Sequence, residues 1–166
     1  MTTKERALRV IVTGAEGELG YTLVYGTNEP GIAVLGFSRS GMDVNDLEHC
    51  RHVVKRYQPD VVIHCEQALP IHNVALAANE FGTKLVYVIQ GEASDAEKEI
   101  GPLAHRAYVV QLDSQLTQSE GLNKELAAFL VHLVQTDNYG LYHLSAGGEL
   151  IWHAFKQQKA WRPSVR

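Results

Sequence analysis

The feature that most constrains this chain is a series of short, continuously apolar runs rich in β-branched residues, each separated from the next by an amphipathic stretch. The runs are RVIVT (9–13), AVLGF (33–37), DVVIHC (60–65), KLVYVI (84–89), AYVVQL (107–112) and LYHLS (141–145). A strand with one wet face alternates apolar and polar residues, whereas a strand covered on both faces has no need to. Unbroken runs of this length therefore predict parallel strands sandwiched between helical layers. With 166 residues, 45% of them hydrophobic, the chain can fill one such core, and a disordered chain is excluded.

The stretches between the runs read as helices. Asp46 to Tyr57 starts at Asn45 or Asp46 and is closed by Pro59, whose ring excludes helical geometry from the residue before it. Val74 to Phe81 ends at Gly82, and Glu120 to Gln135 puts Leu122, Leu126, Phe129, Leu130 and Leu133 on one face. Thr117 and Glu120 have the spacing of a capping box. The polar segment GEASDAEKEIGP (91–102) reads as a loop with one short helical turn. Strand and helix in alternation predict right-handed crossovers and an α/β fold: a doubly wound, mostly parallel sheet in a Rossmann-like three-layer α/β/α arrangement.

Directly behind the first run stands TGAEGELG, Thr13 to Gly20. A glycine-rich turn between a strand and a helix is the context in which backbone N–H groups cradle a phosphate at a helix N-terminus. Gly14 permits the tight turn, Gly17 lets the backbone approach a pyrophosphate, and Gly20 allows close helix packing. The spacing is GxxGxxG, and no Gly-Lys-Ser or Gly-Lys-Thr follows, so a P-loop triphosphate site is not expected. The competing reading is a glycine turn that holds no ligand. Glu16 and Glu18 place two carboxylates beside the position of a pyrophosphate, where like charges repel. After the second run, LGFSRSGMDVND (35–46) puts Arg39 where a ribose 2′-phosphate would lie, and Asp43 a few residues beyond. A guanidinium fork matches phosphate oxygens, which favours NADP over NAD; the alternative is an ordinary surface arginine.

Charge and hydropathy narrow the partners. A formal net charge of -4 leaves no basic stripe for nucleic acid. No apolar run approaches the roughly 20 residues of a membrane span, and MTTKERALR lacks the apolar core of a secretory signal. Cys50 and Cys65 form no CxxC pair and are expected as buried thiols in a reducing, cytoplasmic setting. His49 and His52 share a helix face without further zinc ligands, so a solvated face is the expectation. His64, Cys65, Glu66 and His72 cluster more densely, but neighbouring strand residues face opposite ways, which argues against a Cys65–His64 dyad. The reading is a buried thiol at Cys65 and a cleft-edge histidine at His64. His143 and Trp152 are expected to pack, and Ser145 before Gly147-Gly148 does not make a nucleophile elbow.

These residues carry a resemblance. TGAEGELG, FSRSGMDVND and QPDVVIHC are similar to the N-terminal half of the dTDP-4-dehydrorhamnose reductase family, a branch of the extended short-chain dehydrogenases. GLYHLSAGGELIWHAF (140–155) resembles that family's Gly-x-Tyr-His block, and KAWRPSVR (159–166) its Arg-Pro ending. The resemblance implies one NAD(P)-binding Rossmann-like domain over 1–166, with a rudimentary remnant of the substrate domain from about 113 to 166. It implies a candidate cofactor-binding set of Gly14, Gly17, Glu18, Leu19, Gly20, Arg39, Asp43, Val44 and Cys65, with NADP as the cofactor.

Family members shuttle a proton with a Tyr-x-x-x-Lys pair on one helix and a Ser or Thr after the preceding strand. A tyrosine, with a pKa near 10, needs a lysine one turn away to transfer a proton near neutrality. Four residues beyond the seven tyrosines stand Tyr25, Glu29, Val61, Gly91, Leu112, His143 and Ala146, and none is lysine. Ile89 and Gln90 occupy the Ser-Thr position, and only about fifteen residues then lead to AYVVQL, too few for the catalytic helix and its loops. The chain thus reads as a shortened form from which the catalytic block is excised, with no catalytic and no metal-ligating residues. Two functions follow. The first is a silent reductase-like protein that binds NADP(H), a nucleotide, a nucleotide-sugar or a protein partner, in the role of an accessory or regulatory subunit. The second is an active NADPH-dependent reductase of a dTDP-4-keto-6-deoxy sugar with an unexpected proton donor. Sheet edges left open by the excision would favour a homodimer.

Overall fold

The computed structural model describes residues 6–65, 71–91, 100, 106–116 and 119–153. Seven strands form one sheet: β1 (Leu8–Thr13), β2 (Ile32–Phe37), β3 (Val61–His64), β4 (Lys84–Gln90), β5 (Ala107–Leu112), β6 (Gly140–Leu144) and β7 (Leu150–His153). Their order is β2-β1-β3-β4-β5-β6-β7, with every pairing parallel except β6 with β7. Among the described residues four helices of nine or more residues accompany them: α1 (Glu18–Gly26), α2 (Leu47–Tyr57), α3 (His72–Glu80) and α4 (Glu120–Leu133). The expected α/β class, with a mostly parallel sheet between helical layers, is what the chain adopts.

The two layers follow from strand parity. Ile11, Val62, Leu85 and Val109 pack with Val53, Val54, Val74 and Ala77 of α2 and α3. Their neighbours Val10, Val61, Val86 and Val110 turn the other way, onto Leu19 and Leu23 of α1 and Leu126 and Leu130 of α4. Both faces are covered, which is why the central strands need no polar alternation. Each such side chain, fully buried, contributes about 1.5–3 kcal/mol.

Several boundaries differ from the sequence expectation. Helix α3 starts at His72, before Val74, and α4 ends at Leu133. The cap of α4 is Ser119, whose Oγ accepts the Leu122 N–H at 3.1 Å. The Thr117 capping box is therefore corrected: the helix begins directly after Ser119, and Thr117 itself lies outside the described residues. Helix α2 is capped at Asp46 as expected, and Gln58, at φ 46°, ends it before Pro59. β7 was not read from the sequence. A tight turn makes it, with Gly148 at φ 86° and the Ser145 N–H donating to Glu149 O at 2.8 Å. Most of the 91–102 segment lies outside the described residues, though Ile100 is helical and fully buried.

Candidate functional site

Chain direction across the sheet reverses at β1. The path goes from β1 to β2 on one side, then back past β1 to β3 on the other. Side connections diverge at such a switch point and leave a crevice above the C-terminal strand ends, where ligands of open α/β sheets bind. The glycine turn occupies this place. Gly14 has φ 68°, a conformation open to glycine, and the Gly17 N–H donates back to Gly14 O at 3.0 Å. Gly17 then stands as the N-cap of α1 in extended geometry, without a side-chain cap. At Gly20 a Cβ would lie 2.2 Å from Gly14 O, so a glycine there is what lets α1 close on the turn.

Above the turn is a hollow of about 240 Å³ lined by Gly14, Gly17, Glu18, Leu19, Gly20, Cys65, Val88 and Leu112. Six of the nine residues named from the sequence thus come together. Val88 and Leu112 were missed; their signal was their place near the C-terminal ends of two central strands. The other three lie elsewhere. Arg39 is exposed on the turn after β2. The Asp43 carboxylate accepts the Asn45 N–H at 3.0 Å, and the Asp43 N–H donates to His49 Nδ1 at 3.1 Å. Val44 is buried, with its carbonyl accepting from Asn73 Nδ2 at 3.0 Å. In the structure Asp43 and Val44 hold the β2–α2 connection in shape, with the half-buried His49 taking part, while His52 is exposed on the same helix.

The reading of His64 and Cys65 is reversed. His64 is fully buried, with Nδ1 sharing a 2.7 Å hydrogen bond with Thr13 Oγ1 and its ring 5.5 Å from that of Tyr87. Cys65 is half-buried and lines the hollow. Parity fixed that the two face opposite ways, but only the packing of α2 and α3 decided that the histidine side is the closed one. Cys50 is buried, and that burial, with the charges of Asp43 and Asp46, pushes its thiol up to about 11. Glu16 and Glu18 are both exposed. Among the described residues no cluster of three or more His, Cys, Asp or Glu could hold a metal, and no helix is long and apolar enough to cross a membrane.

The groups at the catalytic position do structural work. Ile89 is buried in the core, and the Gln90 side-chain amide donates to Leu116 O at 2.8 Å. Gln111 likewise donates to Gly91 O, so the two glutamines tie the ends of β4 and β5 to the loops that follow. Neither a tyrosine nor a lysine lines the hollow among the described residues. Tyr108 donates to Thr136 O, Tyr142 to Asn138 O and Tyr139 to Asp137 Oδ1, all toward the segment after α4. Burial raises the Tyr108 and Tyr142 hydroxyls, Tyr142 to about 12, the opposite of what a proton donor at neutral pH requires. Lys84 sits at the N-terminal end of β4, where it donates to Val134 O at 3.1 Å and Thr136 O at 2.9 Å.

A mostly parallel sheet with a glycine turn at its switch point defines a Rossmann-type α/β fold. Within that class the likeness is to dTDP-4-dehydrorhamnose reductases: residues 8–69 match the family described as RmlD substrate binding domain. The chain is 28% identical over 153 residues to the spore coat polysaccharide biosynthesis protein SpsK of Bacillus subtilis (strain 168), covering 78% of this chain and 50% of that protein. It therefore spans about half the length of the curated relative it matches. The fold is shared with dTDP-4-dehydrorhamnose reductase from Bacillus anthracis str. Ames in complex with NADP, at TM-score 0.71, 20% identity, 86% of this chain and 76% of that one. A dTDP-4-dehydrorhamnose reductase from Clostridium acetobutylicum matches at TM-score 0.68 and 17% identity, over 81% of this chain and 73% of that one.

Proposed function

We propose that this chain binds NADP(H) at the glycine turn and does not carry out short-chain-dehydrogenase chemistry, acting as an accessory or regulatory relative of the dTDP-4-dehydrorhamnose reductases. The observation that carries the reading is the junction of β4 and β5. Residues 91–106 join these adjacent parallel strands and contain no Tyr-x-x-x-Lys, and the hydroxyl position is Gln90, engaged with Leu116 O.

The cradle fits the dinucleotide. A side chain at Gly20 would drive α1 off the turn, and Gly17 leaves the first N–H groups of α1 without a side-chain cap, as a pyrophosphate requires. Arg39, exposed beyond β2, would take the 2′-phosphate, while Val88, Leu112 and Cys65 would border the nicotinamide side. When bound, the cofactor would supply a hydride; among the described residues none lining the hollow is a tyrosine or lysine that could deliver the matching proton. The stretch from about 113 onward is read as the remnant of a substrate domain.

A titration of the purified protein with NADPH and NADH, followed by nucleotide fluorescence, tests the first half. Saturable NADPH binding weakened by Arg39→Ala is expected. NADPH absorbance followed with a dTDP-4-keto-6-deoxy sugar tests the second half, with no oxidation expected. Sustained turnover abolished by Arg39→Ala would establish the active reductase instead.

A further inference from the structure

Helices α1 and α4 lie side by side on one face of the sheet, and a groove runs lengthwise between them as two hollows of about 650 and 380 Å³ that meet at Thr22, Gly26 and Lys124. Tyr21 and Tyr25 are 59% and 70% exposed, and their rings lie 4.6 Å apart along α1, tilted by 42°. Glu16, Glu18 and Glu120 border the upper hollow and Glu29 the lower, against the single ammonium of Lys124, itself 3.3 Å from Glu120. At the groove floor Asn123 is only 3% exposed, and its Oδ1 has no hydrogen-bond partner among the described residues.

Each feature asks for the same chemistry. A buried amide oxygen without a donor is left with its desolvation uncompensated unless an N–H reaches it. Exposed tyrosine faces attract a cation, and a planar guanidinium stacks on them better than an ammonium. Carboxylates on the rim accept the guanidinium fork in charge-assisted bonds. The groove is a poor second site for the dinucleotide, because its phosphates there would face Glu16, Glu18, Glu29 and Glu120, whereas Glu18 is the one acid lining the hollow above the glycine turn. The combined volume of the two joined hollows suits a stretch of chain rather than a single side chain.

We infer that the α1–α4 groove docks an arginine-bearing segment of a partner polypeptide, with a guanidinium stacked on Tyr21 and Tyr25 and donating to Asn123 Oδ1. A consequence rests on the proposed dinucleotide site: Glu18 lines both the groove and the hollow above the glycine turn. An arginine in the groove offsets the carboxylates that oppose a pyrophosphate, so segment and dinucleotide favour one another reciprocally.

Fluorescence anisotropy with labelled tetra-arginine and tetra-lysine peptides, at low ionic strength, provides the test. Tetra-arginine is expected to bind about fivefold more tightly than tetra-lysine. Asn123→Leu and the Glu16→Gln/Glu18→Gln pair should each weaken it about tenfold. The glutamine pair should also tighten NADPH, an opposite response that a folding defect, which weakens both ligands, would not give. Equal binding of the two peptides, or binding indifferent to these substitutions, overturns the groove assignment. Peptide binding that responds as expected while NADPH affinity stays unchanged upholds the groove and overturns its link to the dinucleotide site.

Discussion

Thr13 Oγ1 and His64 Nδ1 lie 2.7 Å apart, joining β1 to β3 beneath the point where the sheet reverses direction. Both side chains are buried, and they sit on the closed face of the same strand ends that open into the hollow on the other. Removing this hydroxyl is expected to loosen the floor of the site. Thr13→Val should destabilise the protein by about 1–3 kcal/mol, and Thr13→Ser should recover most of the loss. Urea denaturation curves of the three proteins measure it; equal midpoints would show that the contact carries no weight.

Gly20→Ala places a methyl 2.2 Å from a backbone oxygen that cannot swing away. The expected loss is about 1–3 kcal/mol of stability, the range of overpacked cores. NADPH binding should fall as well, since α1 must shift its N-terminal N–H groups. Calorimetric titration of Gly20→Ala with NADPH, beside its thermal melt, separates the two effects.

The two thiols should differ in reactivity. Cys65 lines the hollow, whereas Cys50 is buried, its thiol pushed up to about 11 and directed at Asp43 O at 3.6 Å. A thiol reagent at neutral pH should modify one cysteine in the native protein and two in denaturant. Peptide mapping should place the native label on Cys65, and saturating NADPH should slow it. Labelling of Cys50 first would contradict the arrangement.

Acid should weaken the lower edge of the sheet through Asp60. Burial alone raises this carboxyl, but hydrogen bonds from the Arg6 guanidinium and the Arg9 N–H, with their charges, outweigh it and leave it lowered. A carboxyl lower in the folded chain than in the unfolded one stabilises above the ordinary aspartate value, about pH 4, and ceases to do so as pH falls through the folded value. Glu80 is lowered in the same sense by Arg51, which joins α2 to α3. Asp60→Asn should therefore be less stable than the parent at pH 7, with the difference shrinking as pH falls below the ordinary aspartate value. Unfolding midpoints across that range decide it.

Much of this architecture was legible because burial on two faces writes itself into composition. Val61, Val62 and Ile63 need no polar partner in any direction, so the strand announces itself. β7 did not, because Leu150 and Ile151 are exposed on an edge strand whose neighbour is set by a turn at Gly148. The site was legible where backbone conformation dictates residue type. Gly14 and Gly20 could be assigned roles before any coordinates, since a positive φ and a close approach each exclude a side chain. Asp43 and Val44 belonged to the same candidate set through the stretch after β2, yet what they touch depends on α2 and α3, which no local pattern specifies.

The sequence by itself determined the layered α/β class, the glycine turn behind β1 and the want of a Tyr-x-x-x-Lys pair, because each is a matter of residue type at fixed local spacing. Only the tertiary structure decided that Cys65 rather than His64 faces the hollow, that Gln90 is committed to Leu116, and that α1 and α4 leave a groove between them. Those outcomes depend on which helix covers which face and on contacts between residues distant in the chain, and side-chain alternation along one strand is the same whichever face is closed.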